Sequence, residues 1–194
     1  MRDRISFLKG YKSKLCQTLE TVDFDIVSEI ISEFENTVKK NSVIYVIGNG
    51  GSSATASHME NDLGIGLKRR NIVDFNIKSL GDNSAVCTAI ANDVGYENIF
   101  YLQLLNKLKP DDILVAISCS GNSPNIVKAV EYARKIGTKV IGLTGFDGGI
   151  LKKMSDLNFH VEAETGEYGL VEDIHMMFDH MIYSYYIDKE SINV

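Results

Sequence analysis

From residue 43 onward, short apolar runs alternate with amphipathic segments, and this alternation is the strongest constraint on the fold. The clearest runs span residues 43–47, 113–117 and 140–143, with weaker ones at 73–77 and 157–161. Between them lie segments of helical periodicity at 54–67, 84–90, 99–108, 126–136 and 150–154. A nearly all-apolar strand is one buried on both faces, and strands alternating with helices wind into parallel βα units. The expected fold class is therefore α/β, a three-layer, doubly wound, mostly parallel sheet with helices on both faces. The first forty residues predict an N-terminal helical hairpin. Ile5, Leu8, Tyr11, Leu15 and Leu19 recur at helical spacing, as do Ile26, Val27, Ile30, Ile31, Phe34 and Val38, with Asp23 as the cap of the second helix.

Composition narrows the function classes. At 194 residues and 44% hydrophobic, the chain can bury one sizeable core. A net charge of −6 argues against a nucleic-acid partner, because no surface excess of cations neutralises a phosphate backbone. Three cysteines, Cys16, Cys87 and Cys119, show no CxxC spacing, which predicts reduced thiols. No apolar run approaches the ~18 residues that cross a bilayer, and the N-terminus lacks an apolar targeting core. A cytoplasmic chain without a membrane partner is expected.

Two turns carry the chemistry of binding. After the run at 113–117 the chain reads Ser118-Cys119-Ser120-Gly121-Asn122-Ser123, followed by Pro124. Proline at the first helical position with Ser123 as its cap marks a helix start, where unpaired N–H groups and the helix dipole attract an anion. No lysine or arginine lies in the loop, so neutral dipoles would do the binding, and a phosphate on a small polar molecule is the natural guest. The second turn, Gly48-Asn49-Gly50-Gly51-Ser52-Ser53, follows the run at 43–47 and opens another helix. It lacks the P-loop lysine and the dinucleotide glycine spacing. Both turns belong to the carboxyl edge of one sheet, where open α/β proteins bind ligands.

Two polar groups stand on helices. His58 and Asp62 are four residues apart, which puts them on one helical face as a metal-ligand or acid–base pair, or as a surface hydrogen bond. Glu172, Asp173, His175 and His180 interrupt a last helix, from about residue 170 to 188, that is apolar almost all round. Such a helix is buried on more than one side, and a subunit interface is the expected second cover. The histidines there are either site residues or core groups bonded to backbone. Glu172 and His180 are eight residues apart, roughly 12 Å along a continuous helix, too far for one ion. Either the helix starts after Glu172, or the two serve a site from different subunits.

The motifs in order are Gly48-Asn49-Gly50-Gly51-Ser52 with His58, Thr88-Ala89-Ile90-Ala91-Asn92-Asp93-Val94-Gly95-Tyr96, Ser118 to Ser123, and Glu172-Asp173-Ile174-His175 with His180. In this combination the chain resembles the phosphoheptose isomerases, which are sugar-isomerase (SIS) domain proteins. The resemblance implies a flavodoxin-like SIS phosphosugar-binding domain over residues 41–194, with residues 1–40 serving packing or oligomerisation. It implies isomerisation of sedoheptulose 7-phosphate to D-glycero-D-manno-heptose 7-phosphate for bacterial surface-glycan synthesis. It further implies a homotetramer with active sites between subunits and one zinc per subunit. Carried over by position, Asn49, Gly50, Gly51, Asp62, Asn92, Asp93, Ser118, Cys119, Ser120, Ser123 and Glu172 would hold the substrate. His58, Asp62, Glu172 and His180 would bind the metal, with Asp62 and His180 also moving protons.

The chain departs from the family pattern in four places. Asp62 stands for a usual glutamate, Glu172 for a glutamine, Leu170 for an arginine and Cys119 for a threonine. A His–Asp–Glu–His set remains good zinc chemistry, while the lost arginine bears on which sugar phosphate is preferred. The alternatives are an isomerase of another phosphosugar and a noncatalytic SIS protein acting as a tetrameric platform. A sugar-phosphate-sensing regulator is disfavoured because residues 1–40 are too short and insufficiently basic for a DNA-binding domain.

Overall fold

A computed structural model describes residues 3–191, the side chains of 190 and 191 excepted. Its centre is a five-stranded sheet, parallel throughout, in the order β2-β1-β3-β4-β5. The strands are β1 (Ile44–Gly48), β2 (Ile77–Ser79), β3 (Ile113–Ser118), β4 (Lys139–Gly145) and β5 (Leu157–Val161). This is the flavodoxin-like order, with its switch point between β1 and β3. Alternation along the strands sorts side chains between two cores. Ile44, Val46, Val115, Ile117, Ile141 and Leu143 face one, and Ile47, Leu114, Ala116 and Val140 face the other. Every residue of β3 is buried, as a central parallel strand requires.

The first core is closed by α2 (Phe24–Lys40), α3 (Gly51–Met59) and α8 (Tyr168–Ser191). Val27, Ile30 and Phe34 of α2 meet Met59 of α3 and Ile174, Phe178 and Ile182 of α8. Asp23 caps α2 as expected, accepting from the N–H groups of Asp25 at 2.9 Å and Ile26 at 3.3 Å. The second core is closed by α5 (Tyr101–Leu104), α6 (Pro124–Ile136) and α7 (Gly149–Met154). The remaining helices, α1 (Arg4–Leu19) and α4 (Ser84–Val94), are largely exposed; α4 has no buried residue.

Three elements differ from the sequence expectation. The helix expected over 54–67 starts at Gly51 and turns π-helical from Glu60 to Gly66. Gly64 and Gly66 bring little helical preference there, and Gly66 lies against the Tyr183 ring. The segment 99–108 is helical only at Tyr101–Leu104, because the chain turns over at Asn106 with φ 60°. The edge strand at 73–77 pairs only from Ile77, although Phe75 is buried. Among the described residues no helix is long and apolar enough to cross a membrane, and the three cysteines are free.

The serine turn depends on one glycine. Gly121 has φ 63°, and a Cβ there would collide with the Gly148 carbonyl. Its own carbonyl accepts from Leu151 N–H at 2.9 Å, tying the turn to α7. Gly121→Ala should lower stability by at least about 2 kcal/mol, read as a fall in the thermal midpoint.

Candidate functional site

The two turns meet at the carboxyl ends of β1 and β3, on the two sides of the switch point. Gly48 pairs with Ile117, so the glycine turn and the serine turn leave the sheet side by side. Reciprocal amide bonds clamp them. Asn49 Nδ2 donates to Asn125 Oδ1 at 2.9 Å, and Asn125 Nδ2 donates to Asn49 Oδ1 at 2.8 Å. Asn125 is fully enclosed, and its Oδ1 also accepts from Ile126 N–H at 3.1 Å. Tyr96 adds a third bond, its hydroxyl donating to Asn49 Oδ1 at 2.9 Å.

Between the turns is a cavity of about 130 Å³ lined by Asn49, Ser52, Ser118, Cys119, Ser120, Ser123, Tyr168 and Glu172, with Ile117 at its floor. Ser123 is the cap residue of α6 and Pro124 follows it, but the serine side chain does not cap the helix. Its hydroxyl instead stands 3.4 Å from that of Ser118. Hydroxyls left free of the helix can donate to a guest. No cation lines this cavity, so an anion there is held by hydroxyls and backbone dipoles. Burial, reinforced by the charge of Glu172, pushes the Cys119 thiol up to about 11, so it stays protonated and is not a nucleophile.

Glu172 packs its carboxylate against Gly51, at the first residue of α3, where any Cβ would displace it. It therefore belongs to the serine cavity. Gly50, with φ 54°, caps α3 and is exposed. Asn92 and Asp93 lie outside the cavity on the exposed last turn of α4, joined by a 2.8 Å bond from Asn92 Nδ2 to Asp93 Oδ1. Tyr96, three residues further, ties this segment to Asn49.

A second centre lies further along the α3–α8 pair. His58, Asp62, Asp179 and His180 each offer a ligand atom, and all four atoms fall within 4.8 Å of one another. His58 Nε2 is 3.1 Å from His180 Nε2, 3.3 Å from Asp62 Oδ2 and 3.9 Å from Asp179 Oδ2. Two imidazole nitrogens and two carboxylates converging on one point are a donor set for a divalent cation. Asp179 supplies the evidence of fit. It is 0% exposed, neither oxygen has a hydrogen-bond partner, and burial with the nearby Asp62 charge pushes it up to about 7. Glu172 is not in this group. Because α8 is continuous from Tyr168, the first of the two options for Glu172 and His180, a helix beginning after Glu172, is excluded.

Sequence reasoning missed Asp179, Asn125 and Tyr168, and it quoted Ser52 and Tyr96 within motifs without giving them a role. Asp179 had a signal. It falls in the buried register Val171, Ile174, His175, Phe178, Ile182 and Tyr186, where a carboxylate has no water. His175 is the core histidine of the alternative reading, fully buried with Nε2 3.2 Å from the Thr144 carbonyl oxygen. Burial holds it down to about 4, against the pull of that bond, and His160 adds to the lowering. Below pH 6.5 the unfolded chain takes up a proton that folded His175 refuses until about pH 4, so stability is lost as pH falls through that window. Thermal midpoints of His175→Gln should fall less steeply than wild type between pH 6.5 and 4, by an increment on the order of 3 kcal/mol.

Comparison with known proteins agrees with this fold. The SIS domain family model matches residues 7–145. A phosphoheptose isomerase of Leptospira biflexa is 38% identical over 159 residues, covering 80% of this chain and 78% of its own. That of Aliarcobacter butzleri is 35% identical, covering 89% of each chain. The structure of phosphoheptose isomerase GmhA from Neisseria gonorrhoeae superposes with a TM-score of 0.82 at 25% identity, covering 95% of this chain and 97% of that one.

Proposed function

Because the chain belongs to the SIS-domain family and, within it, to the phosphoheptose isomerases, we propose that it interconverts sedoheptulose 7-phosphate and D-glycero-D-manno-heptose 7-phosphate. The observation that carries this reading is the pairing of a cation-free serine cavity with a separate His–Asp centre along the same two helices. An anion-binding end and a proton-handling end are what an aldose–ketose phosphate isomerase requires.

In this reading Ser118, Ser120 and Ser123 grip the phosphate, with the Cys119 backbone shaping the loop. Asn49, Gly50 and Gly51 take sugar oxygens, and Asn92 and Asp93 close over the sugar from α4. The Glu172 carboxylate accepts from sugar hydroxyls. Holding the remote phosphate turns binding energy into orientation of the reacting carbons. At that end one group removes the proton from C1 beside the carbonyl, a proton is delivered to C2, and the hydroxyl proton of O1 passes to O2, so that the carbonyl moves from C2 to C1 with no net gain or loss. Asp62 and His180 are the pair assigned to this. Asp62 is held by Asn61 Nδ2 at 2.8 Å, while His180 is exposed and open to substrate. A bound zinc, one per subunit, would polarise the carbonyl and stabilise the enediolate charge.

The working form is a homotetramer with active sites at subunit boundaries, in the cytoplasm, serving heptose supply for a surface glycan. Exposed apolar side chains on α1, namely Ile5, Phe7 and Leu8, support the assembly. So do the half-buried Met176, Met177 and Met181 on the flank of α8. Asp62→Asn and His180→Ala, each verified as folded and of wild-type assembly, should lose at least about a hundredfold in turnover of sedoheptulose 7-phosphate. Wild-type rates in both would overturn the assignment and favour a noncatalytic platform. Wild-type enzyme that turns over a different ketose phosphate faster would favour the alternative substrate.

A further inference from the structure

Asp179 is the most costly group in this fold unless something positive meets it. Its side chain is sealed from solvent, and neither oxygen accepts a hydrogen bond among the described residues. A buried carboxylate without donors loses several kcal/mol of hydration that an apolar core does not replace. Protonation would remove the charge yet leave the new O–H without an acceptor. A cation answers both oxygens at once.

The neighbours make that cation a metal. His58 and Asp62 approach from α3 and its π-helical continuation, His180 and Asp179 from α8. A tetrahedral ion with arms of about 2.0–2.2 Å keeps its ligand atoms roughly 3.4 Å apart. The separations from His58 Nε2, at 3.1, 3.3 and 3.9 Å, straddle that value. Two carboxylates also balance a divalent charge, which matters at a partly enclosed site. Glu172 lies eight residues upstream on the same unbroken helix, roughly 12 Å away along its axis.

We propose that Asp179 is a ligand of the protein's metal ion, and that His58, Asp62, Asp179 and His180 of a single subunit form the complete set. Asp179 then takes the ligand place that the family resemblance assigns to Glu172, and Glu172 is left to the serine cavity. This deepens the reading above by naming the ligands, and its test is metal binding, not turnover. The π-helical turn has a part in it, because it lies under Asp62 and sets that carboxylate beside His58.

The test strips the full-length protein with chelator and titrates zinc against a chromophoric competitor, with the visible spectrum of the cobalt form recorded in parallel. Asp179→Asn should weaken zinc at least tenfold and alter the cobalt bands, whereas Glu172→Ala, which leaves no donor atom at that position, should stay within about twofold of wild type. The stripped Asp179→Asn protein should melt higher than stripped wild type, since the orphan charge is gone, yet gain less on adding zinc. Asp179→Leu, matched to the apolar surroundings, gives the same comparison if the asparagine variant fails to fold. Wild-type zinc affinity and cobalt bands in either Asp179 variant would overturn the proposal. So would a loss in Glu172→Ala equal to that in His180→Ala, which would restore a site shared between subunits. Loss of isomerase turnover with metal binding intact would count against the function alone.

Discussion

The site rests on one rigid spacing. Helix α8 runs unbroken from Tyr168 to Ser191 and buries Val171, Ile174, His175, Phe178, Asp179 and Ile182 against the sheet and α3. Along it Glu172 and His180 are held roughly 12 Å apart. Helix α3 keeps step beside it, with Gly51 at Glu172 and His58 at His180. The two helices thus carry two separate centres, a hydroxyl-lined cavity where they leave the sheet edge and a His–Asp cluster two turns along. Neither can drift toward the other without unpacking the first core.

The electrostatics divide along the same line. The cavity contains no cation and one carboxylate, so a phosphate there relies on serine hydroxyls and helix-terminal amides. The cluster concentrates two carboxylates and two imidazoles, a donor set for a divalent cation. In the proposed reading, a phosphosugar places its phosphate in the cavity and its reacting carbons at the cluster. The Asn49–Asn125 clamp, joined by Tyr96, keeps the two turns in register.

Much of this was legible in the residues. The apolar runs placed four of the five strands almost to the residue, since a central parallel strand leaves no room for polar side chains. The two turns, the proline start of α6 and the His58–Asp62 pair follow from local chemistry. What escaped was tertiary. The edge strand β2 and the short helix α5 are set by pairing and by the turn at Asn106, not by their own periodicity. The π-helical turn has no sequence signature beyond two glycines. Asp179 hid behind a helix read as apolar all round. In the folded chain one face is buried in the core, and a carboxylate on that face stands out only once the face is known.

In the proposed reading, the serine cavity takes the phosphate and the His–Asp cluster holds the metal at the other end of the same substrate. Paramagnetic relaxation of bound sugar phosphate tests it most directly, using protein loaded with cobalt and sedoheptulose 7-phosphate labelled with carbon-13 at C1. Relaxation enhancement should be strong at the labelled carbon and weak at phosphorus. Phosphorus relaxing as fast as the carbon, or neither nucleus responding to the ion, would contradict it.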